Sequence, residues 1–279
     1  MLTFGAAHRK LRPPLKSGKE LYVLDTTPRG ALVTGASRGI GRATAVALAT
    51  AGHRVAIHYG HHREDAEQTL ALLPGEGHVV VGGNLADPSA ARGVVDEAVR
   101  GLLTLDVLVN NAAVAPQTAN RHRIGEVGWD AWVETWNSMI RTNLLGAVNV
   151  TWAFADHLIS RGAPGSIVNV GSRGAYRGEP DHPAYGASKA ALHAFGQSIA
   201  VALAPHQIAV TSVAPGFVAT ERQMEKLSGS EGDAVRAQSP FGRVGSAEEI
   251  AAAVVYLASP GAAWSSGAVL DLNGASYLR

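Results

Sequence analysis

Tyr185 and Lys189 stand four residues apart in Pro183-Ala-Tyr-Gly-Ala-Ser-Lys189. On a helix that spacing puts both side chains on one face, one turn apart. Pro183 suits a first helical position, and the small and apolar residues after Lys189 read as a buried helix. A free tyrosine ionises near pH ~10 and is a poor base at neutrality. An ammonium one turn away would favour the phenolate; a pKa drop of roughly 3 units takes about 4 kcal/mol. Tyr185 would then give or take a proton near neutral pH. Ser172 follows the strand-like run Ser166-Ile-Val-Asn-Val-Gly171, which would set its hydroxyl at a strand's carboxyl end beside that helix. Alone, a Tyr–Lys pair is as well explained by a surface contact, so its weight depends on the rest of the chain.

The elements that must position these groups alternate. Ala31-Leu-Val-Thr-Gly35 reads as a strand, Ala36-Ser-Arg-Gly39-Ile-Gly41 as a glycine turn, and the alanine-rich run behind it as a helix. Glycines there let a backbone approach a pyrophosphate, and the helix amino end favours its charge. Gly52 to Tyr59 reads as a second strand. No acid stands at its end to bind ribose hydroxyls, and none appears before Glu64. Arg38 with His61, His62 or Arg63 would instead meet a 2′-phosphate, favouring NADP(H) without excluding NAD(H). His58, His61 and His62 lack a matching carboxylate or helical spacing, so no metal site is expected.

A third strand leads to Asn84, placed to reach an adenine edge. Asp87-Pro88 reads as a helix cap, and a fourth strand ends at Asn110-Asn111. Residues 115–128 read as a polar lid or subunit contact. A long helix is expected over 130–160, with Trp129, Trp132 and Trp136 as a packing stripe and Asn143 turned outward or bonded locally. A sixth strand ends at Pro215, residues 221–238 have the profile of a mobile lid, and Ser246 with Glu249 forms a capping box. The pattern predicts an α/β fold: a doubly wound parallel sheet with helices on both faces. Gly35, Asn110, Ser172 and Pro215 all end strand-like runs and would converge on one sheet edge, where such folds bind ligands.

The chain has 279 residues, 46% of them apolar, a formal net charge of +1 and no cysteine. Nothing in that balance favours nucleic acid or a membrane as partner, and thiolate and disulfide chemistry is excluded. The composition suits a cytoplasmic protein. Residues 1–28 form a basic stretch broken by Pro13-Pro14, with no signal-peptide pattern, and are expected to be a poorly ordered extension of a single domain over 29–279.

Taken together, Thr34-Gly-Ala-Ser-Arg-Gly-Ile-Gly41, Asn110-Asn-Ala-Ala113, Asn143, Ser172, Tyr185-x-x-x-Lys189 and Pro215-Gly216 with Thr220 resemble the short-chain dehydrogenases/reductases. The resemblance runs from about Arg29 to Asn273 and implies a nicotinamide cofactor with a tetrad of Asn143, Ser172, Tyr185 and Lys189. It implies cofactor contacts at Gly35, Ser37, Arg38, Gly39, Ile40, Gly41, Tyr59, His61, Asn84, Leu85, Asn111, Ala112, Tyr185, Lys189, Pro215, Gly216, Val218 and Thr220. In that scheme Tyr185 exchanges the carbinol proton, Ser172 steadies the oxygen, Lys189 tunes the tyrosine and holds ribose, and Asn143 anchors a proton-supplying water. Ala113 and Asn84 depart mildly from the commonest glycine and aspartate. The look is nearest to 3-oxoacyl-carrier-protein reductases, which implies ketone reduction, with oxidation of a sugar, steroid or other secondary alcohol, or a non-catalytic nucleotide-binding sensor, as the alternatives. The Tyr–Lys gap is too short for the enoyl-reductase branch. An acyl thioester partner would need a basic patch, for which Arg161, Arg173 and Arg177 are candidates. Family habit implies a homotetramer or homodimer.

Overall fold

The computed structural model describes residues 29–221, Leu227 and 229–279, so the basic stretch 1–28 and most of the start of the second expected lid lie outside the described residues. Seven strands form one sheet in the order β3-β2-β1-β4-β5-β6-β9, with every pairing parallel. They are β1 (Gly30–Val33), β2 (Arg54–Tyr59), β3 (Val79–Gly82), β4 (Val107–Asn110), β5 (Gly165–Val170), β6 (Ile208–Pro215) and β9 (Val269–Leu272). A separate two-residue pair, β7 (Val218–Ala219) with β8 (Gly245–Ser246), ties the segment after β6 to the last long helix. The sheet reverses direction of growth between β1 and β4, and that switch point opens the crevice in which such folds bind ligands.

Alternation along the strands feeds two cores. Val33, Ile57, Val109 and Val168 face α1 (Gly39–Thr50), α2 (Arg63–Leu72) and α9 (Ala247–Ala258), where Leu48, Ile250 and Val254 meet them. Leu32, Ala56, Leu108 and Ile167 face α3 (Pro88–Leu102) and α5 (Ala147–Arg161), against Val94, Phe154 and Leu158. Both faces are therefore covered, which explains why these strands are nearly continuous apolar runs. Two expected caps form as read. Asp87 Oδ1 accepts from Ser89 N at 2.8 Å, and Ser246 and Glu249 bond reciprocally at 3.1 and 2.8 Å.

The expected long helix is interrupted. α4 (Trp129–Ile140) runs into a wide π-helical turn, Arg141–Gly146, before α5 begins. The stripe of tryptophans is also only partly a stripe: Trp132 and Trp136 have ring centroids 5.6 Å apart, whereas Trp129 is 76% exposed. The other α-helices among the described residues are α6 (Gly174–Arg177), α7 (Pro183–Leu203) and α8 (Gly229–Arg236).

Candidate active site

The glycine turn is knitted to the end of β4 by side chains. Thr34 Oγ1 donates to Val109 O and accepts from Asn111 N (2.9 Å) and Ala112 N (3.0 Å). Asn111 Nδ2 donates to the carbonyls of Thr34 and Gly35. Gly35 has φ +64°, and a Cβ there would lie 2.8 Å from Ala112 Cα, so the turn needs glycine on both counts. Gly41 has a second reason: a Cβ would collide with the Gly35 carbonyl and with Asn111.

His58, grouped with His61 and His62 in the sequence, is a buried strut. Its Nδ1 accepts from Gly35 N at 3.0 Å, and its Nε2 donates to Gly83 O at 2.9 Å. Burial lowers its pKa to about 4, so the ring is neutral and the two bonds fix its tautomer. Among the described residues no His, Asp and Glu gather as a metal site.

Helix α7 carries Tyr185 and Lys189 on one face, as their spacing requires, but their electrostatics differ from expectation. Lys189 is 2% exposed; its Nζ donates to Val170 O at 2.8 Å and lies 5.8 Å from the Tyr185 ring centroid. Burial lowers the Lys189 pKa to about 8. The Tyr185 phenol moves up to about 12, because burial penalises the phenolate more than the neighbouring Ser172 hydroxyl favours it. The expected lowering by Lys189 is absent from this state: the ammonium sits over the ring face with a carbonyl as partner. Ser172 Oγ also accepts from Gly174 N at 3.0 Å, which orients the hydroxyl.

Asn143 lies in the π turn and is buried rather than outward. Its Oδ1 accepts from Val114 N at 2.7 Å, while Nδ2 donates to Val114 O and Ser188 Oγ. Ser188 Oγ in turn donates to Tyr185 O, so Asn143 clamps the β4 extension to α7. The wide turn is what swings this residue inward, since one extra residue rotates the helix face.

The polar loop after β4 is a clamp as well. His122 Nδ1 donates to Asn120 O, and its Nε2 accepts from Ala184 N at 3.0 Å, capping α7 from across the groove. Arg121 and Arg123 both reach Asp181 Oδ1, at 3.1 and 3.3 Å. No local signal could have found the roles of His122 or His58, because Ala184, which His122 caps, and Gly35 and Gly83, which His58 joins, are distant in sequence.

These elements enclose a groove of about 580 Å³. It is lined by Gly35, Ser37, Arg38, Gly39, Ile40, Gly41, His61, Asn84, Leu85, Asn111, Ala112, Ser172, Tyr185, Lys189, Pro215, Gly216, Val218 and Thr220. Two of the sequence-derived residues fall outside that lining. Asn143 stands behind it, and the Tyr59 ring packs over Gly82 and lines a neighbouring cleft with Arg63 and Arg100. Asn84 spends Oδ1 on Ala86 N, forming its own turn. Glu221, missed in the sequence, reaches the amino end of α1: Oε2 accepts from Gly39 N and Oε1 from Arg42 Nη1, both at 3.2 Å. Arg38 lines the groove with a buried Nε that has no partner. A glycine cradle, a free helix amino end beyond one carboxylate and an unsatisfied guanidine nitrogen suit a phosphate-bearing dinucleotide.

Comparison with known proteins decides the family. A family model described as enoyl-(acyl carrier protein) reductase matches residues 35–274. The L-rhamnose 1-dehydrogenase (NAD(P)(+)) of Sphingomonas sp. is 37% identical over 251 residues, covering 89% of this chain and 96% of that protein. The chain is a short-chain dehydrogenase/reductase. A second relative is the 3-oxoacyl-acyl-carrier-protein reductase FabG of Staphylococcus aureus, 34% identical over 252 residues, with 90% and 98% of the two chains covered. Among solved structures, one provisionally described as a short-chain alcohol dehydrogenase from Sinorhizobium meliloti superposes with TM-score 0.80 at 33% identity, covering 89% and 96%. Another, provisionally described as a 2-deoxy-d-gluconate 3-dehydrogenase from Agrobacterium tumefaciens with bound NADP, gives 0.77 at 30% identity, covering 93% and 99%. This short-chain dehydrogenase/reductase is thus an NAD(P)-dependent oxidoreductase acting between alcohol and carbonyl.

Proposed function

We propose that the protein interconverts a small polar ketone and its secondary alcohol with NADP(H), using Tyr185 as the proton-exchanging group. The observation that carries this reading is the meeting of Ser172, Tyr185 and Lys189 on the wall of one groove whose other end is the glycine turn. The bound nicotinamide supplies or accepts the hydride. Ser172 hydrogen-bonds the reacting oxygen, and Tyr185 holds the proton passed to or from it. A phenol near 12 is a proton donor at rest; Lys189, pulled from Val170 O toward ribose and phenol, would make it an acceptor for the reverse direction. Asn143 holds the floor of the site through Val114 and Ser188, and proton supply from solvent would pass behind Lys189.

Gly35, Gly39 and Gly41 would hold the pyrophosphate, and Thr220 with the backbone at Val218 the carboxamide. Arg38 supports NADP(H) over NAD(H): its unpartnered Nε, with His61 and His62 in the lining of the same groove, offers a 2′-phosphate polar partners, and no carboxylate competes at the end of β2. A small polar substrate, of the sugar or polyol kind, is favoured over a carrier-bound acyl chain. Arg161, one arm of the basic patch such a carrier would need, pairs with Asp106 at the opposite, amino-terminal edge of the strands, and Arg173 is buried.

A panel of sugars, polyols, ketones and one 3-oxoacyl thioester, assayed with both cofactors, tests the reading. Tyr185→Phe should cost about 10²- to 10⁴-fold in kcat and leave cofactor binding intact. Arg38→Ala should weaken NADPH more than NADH. Undiminished turnover in the first variant, or an NADH preference in the wild type, would overturn the respective assignment.

A further inference from the structure

The catalytic end of the groove holds one carboxylate that the protein leaves without a hydrogen-bond donor. Glu179 lines the groove together with Ser172 and Tyr185. Gly178, with φ +82°, turns the chain after α6, and the Glu179 carbonyl then accepts from His182 N at 3.0 Å, which anchors its backbone beside the start of α7. The side chain lies across two glycines. A Cβ on Gly174 would come 2.6 Å from Glu179 Oε1, and one on Gly186 would come 3.6 Å from its Cβ and Cγ. Gly174 N is the donor that orients the Ser172 hydroxyl, and Gly186 directly follows Tyr185. The carboxylate is therefore seated between the two backbones that present Ser172 and Tyr185, and its charge acts on the Tyr185 phenol. Among the described residues nothing donates to it and no cation pairs with it. The charged and titratable groups around it are engaged elsewhere. Asp181 is held by Arg121 and Arg123, His182 bonds Gln117 O, and Lys189 donates to Val170 O. Arg173 donates to Ser276 and Gln238, and Arg177 to Gln238.

An acceptor fixed in this seat suits a donor that the ligand brings. Resting on the proposed alcohol–carbonyl chemistry, we infer that Glu179 determines specificity by accepting a second hydroxyl of the substrate, so that neutral diols and polyols are used in preference to monohydric alcohols and to hydroxy acids. A hydrogen bond to a carboxylate is about twice as strong as one between neutral groups, and its two oxygens can take a pair of hydroxyls. The same negative charge disfavours a substrate carboxylate, so one side chain both selects and rejects. The reach is short. The reacting oxygen bonds Ser172 Oγ, which Gly174 N holds, and Gly174 is the residue over which Glu179 lies. The second hydroxyl therefore need be no more than a few carbons from the carbinol.

The test uses matched pairs in steady-state kinetics: butane-2,3-diol, pentane-2,4-diol and hexane-2,5-diol, each against the 2-alkanol of the same length, with 3-hydroxybutyrate as the acid. At least one diol should show a tenfold or greater advantage in kcat/KM, carried by KM. In Glu179→Ala that advantage should fall at least fivefold. Glu179→Gln keeps the shape and removes the charge, so 3-hydroxybutyrate should gain on butan-2-ol in that variant. Its pH profile gives a readout that packing alone would not move: losing the negative charge favours the Tyr185 phenolate, so the acid limb of kcat for oxidation should shift to lower pH. Equal use of diols and 2-alkanols by the wild type, or a diol advantage kept in the folded alanine variant, overturns the inference and leaves the proposed function standing. A preference for 3-aminobutan-2-ol over butane-2,3-diol, lost in Glu179→Gln, would replace the hydroxyl by an ammonium and overturn it as stated. If no alcohol or ketone turns over with either cofactor, the proposed function falls. Calorimetric titration of the NADP-loaded protein with the diols then decides the residue: binding lost in Glu179→Ala keeps the acceptor, and no binding discards it.

Discussion

At the scale of single residues, the site turns on two groups with displaced acidities. Lys189 is charged below about pH 8, whereas the unfolded chain holds the same proton up to about 10.5. Between those values the unfolded state binds more protons, so stability rises with pH across the window. The difference corresponds to about 3 kcal/mol, present as a burial cost below pH ~8 and relieved toward 10.5. Thermal unfolding followed from pH 7.5 to 10 should therefore show wild type gaining on Lys189→Met; parallel curves would refute the buried ammonium. Tyr185 and Lys189 were legible in the sequence because their relation is a helical spacing. Their acidities were not, since burial and the Val170 carbonyl are supplied by other elements. The same distinction separates Asp87 and Ser246, local caps read at sight, from His122, which caps a helix 62 positions away.

At the scale of elements, strands end at the right places because each apolar run stops at a polar or glycine residue, and the topology then brings those ends together. What sequence hides is how loops close on that edge. Glu221, just after β7, lays its carboxylate on Gly39 N and Arg42 at the amino end of α1. A pyrophosphate would want the same N–H groups and the same partial positive charge. Glu221→Ala is thus expected to tighten dinucleotide binding, by about threefold if the contact is worth roughly 0.6 kcal/mol at an exposed helix end. Titration by nucleotide fluorescence reads it directly, and a weaker Kd would show that Glu221 helps the cofactor rather than competes with it. The loop over 115–128 shows the converse: what reads as a lid is pinned by His122, Asp181 and two arginines to the start of α7.

At the scale of the whole molecule, two buried histidines set the acid limit. His58 joins the glycine turn to the end of β3, and His193 stacks on Tyr176, whose hydroxyl meets its Nδ1 at 2.9 Å. Burial takes both from 6.5 to about 4, with Lys189 adding to the effect on His193. Folded pKa values below the unfolded ones mean that the unfolded chain takes up protons first. Stability is then full above pH ~6.5 and drains away as pH falls toward 4. Urea denaturation at pH 7 and 4.5 should show wild type losing a few kcal/mol, and His193→Gln losing less; equal losses would place the acid sensitivity elsewhere. No helix among the described residues is long and apolar enough to cross a membrane.

The surplus residue in Arg141–Gly146 breaks the regular α-helical ladder between α4 and α5. Deleting one position there would restore the regular ladder and a sturdier rod, yet would turn Asn143 away from Val114 and Ser188 and loosen the ground under Tyr185. The enzyme therefore keeps an imperfect column for the sake of one correctly aimed amide, and a heat-tolerant but sluggish deletion variant is the form that trade would take.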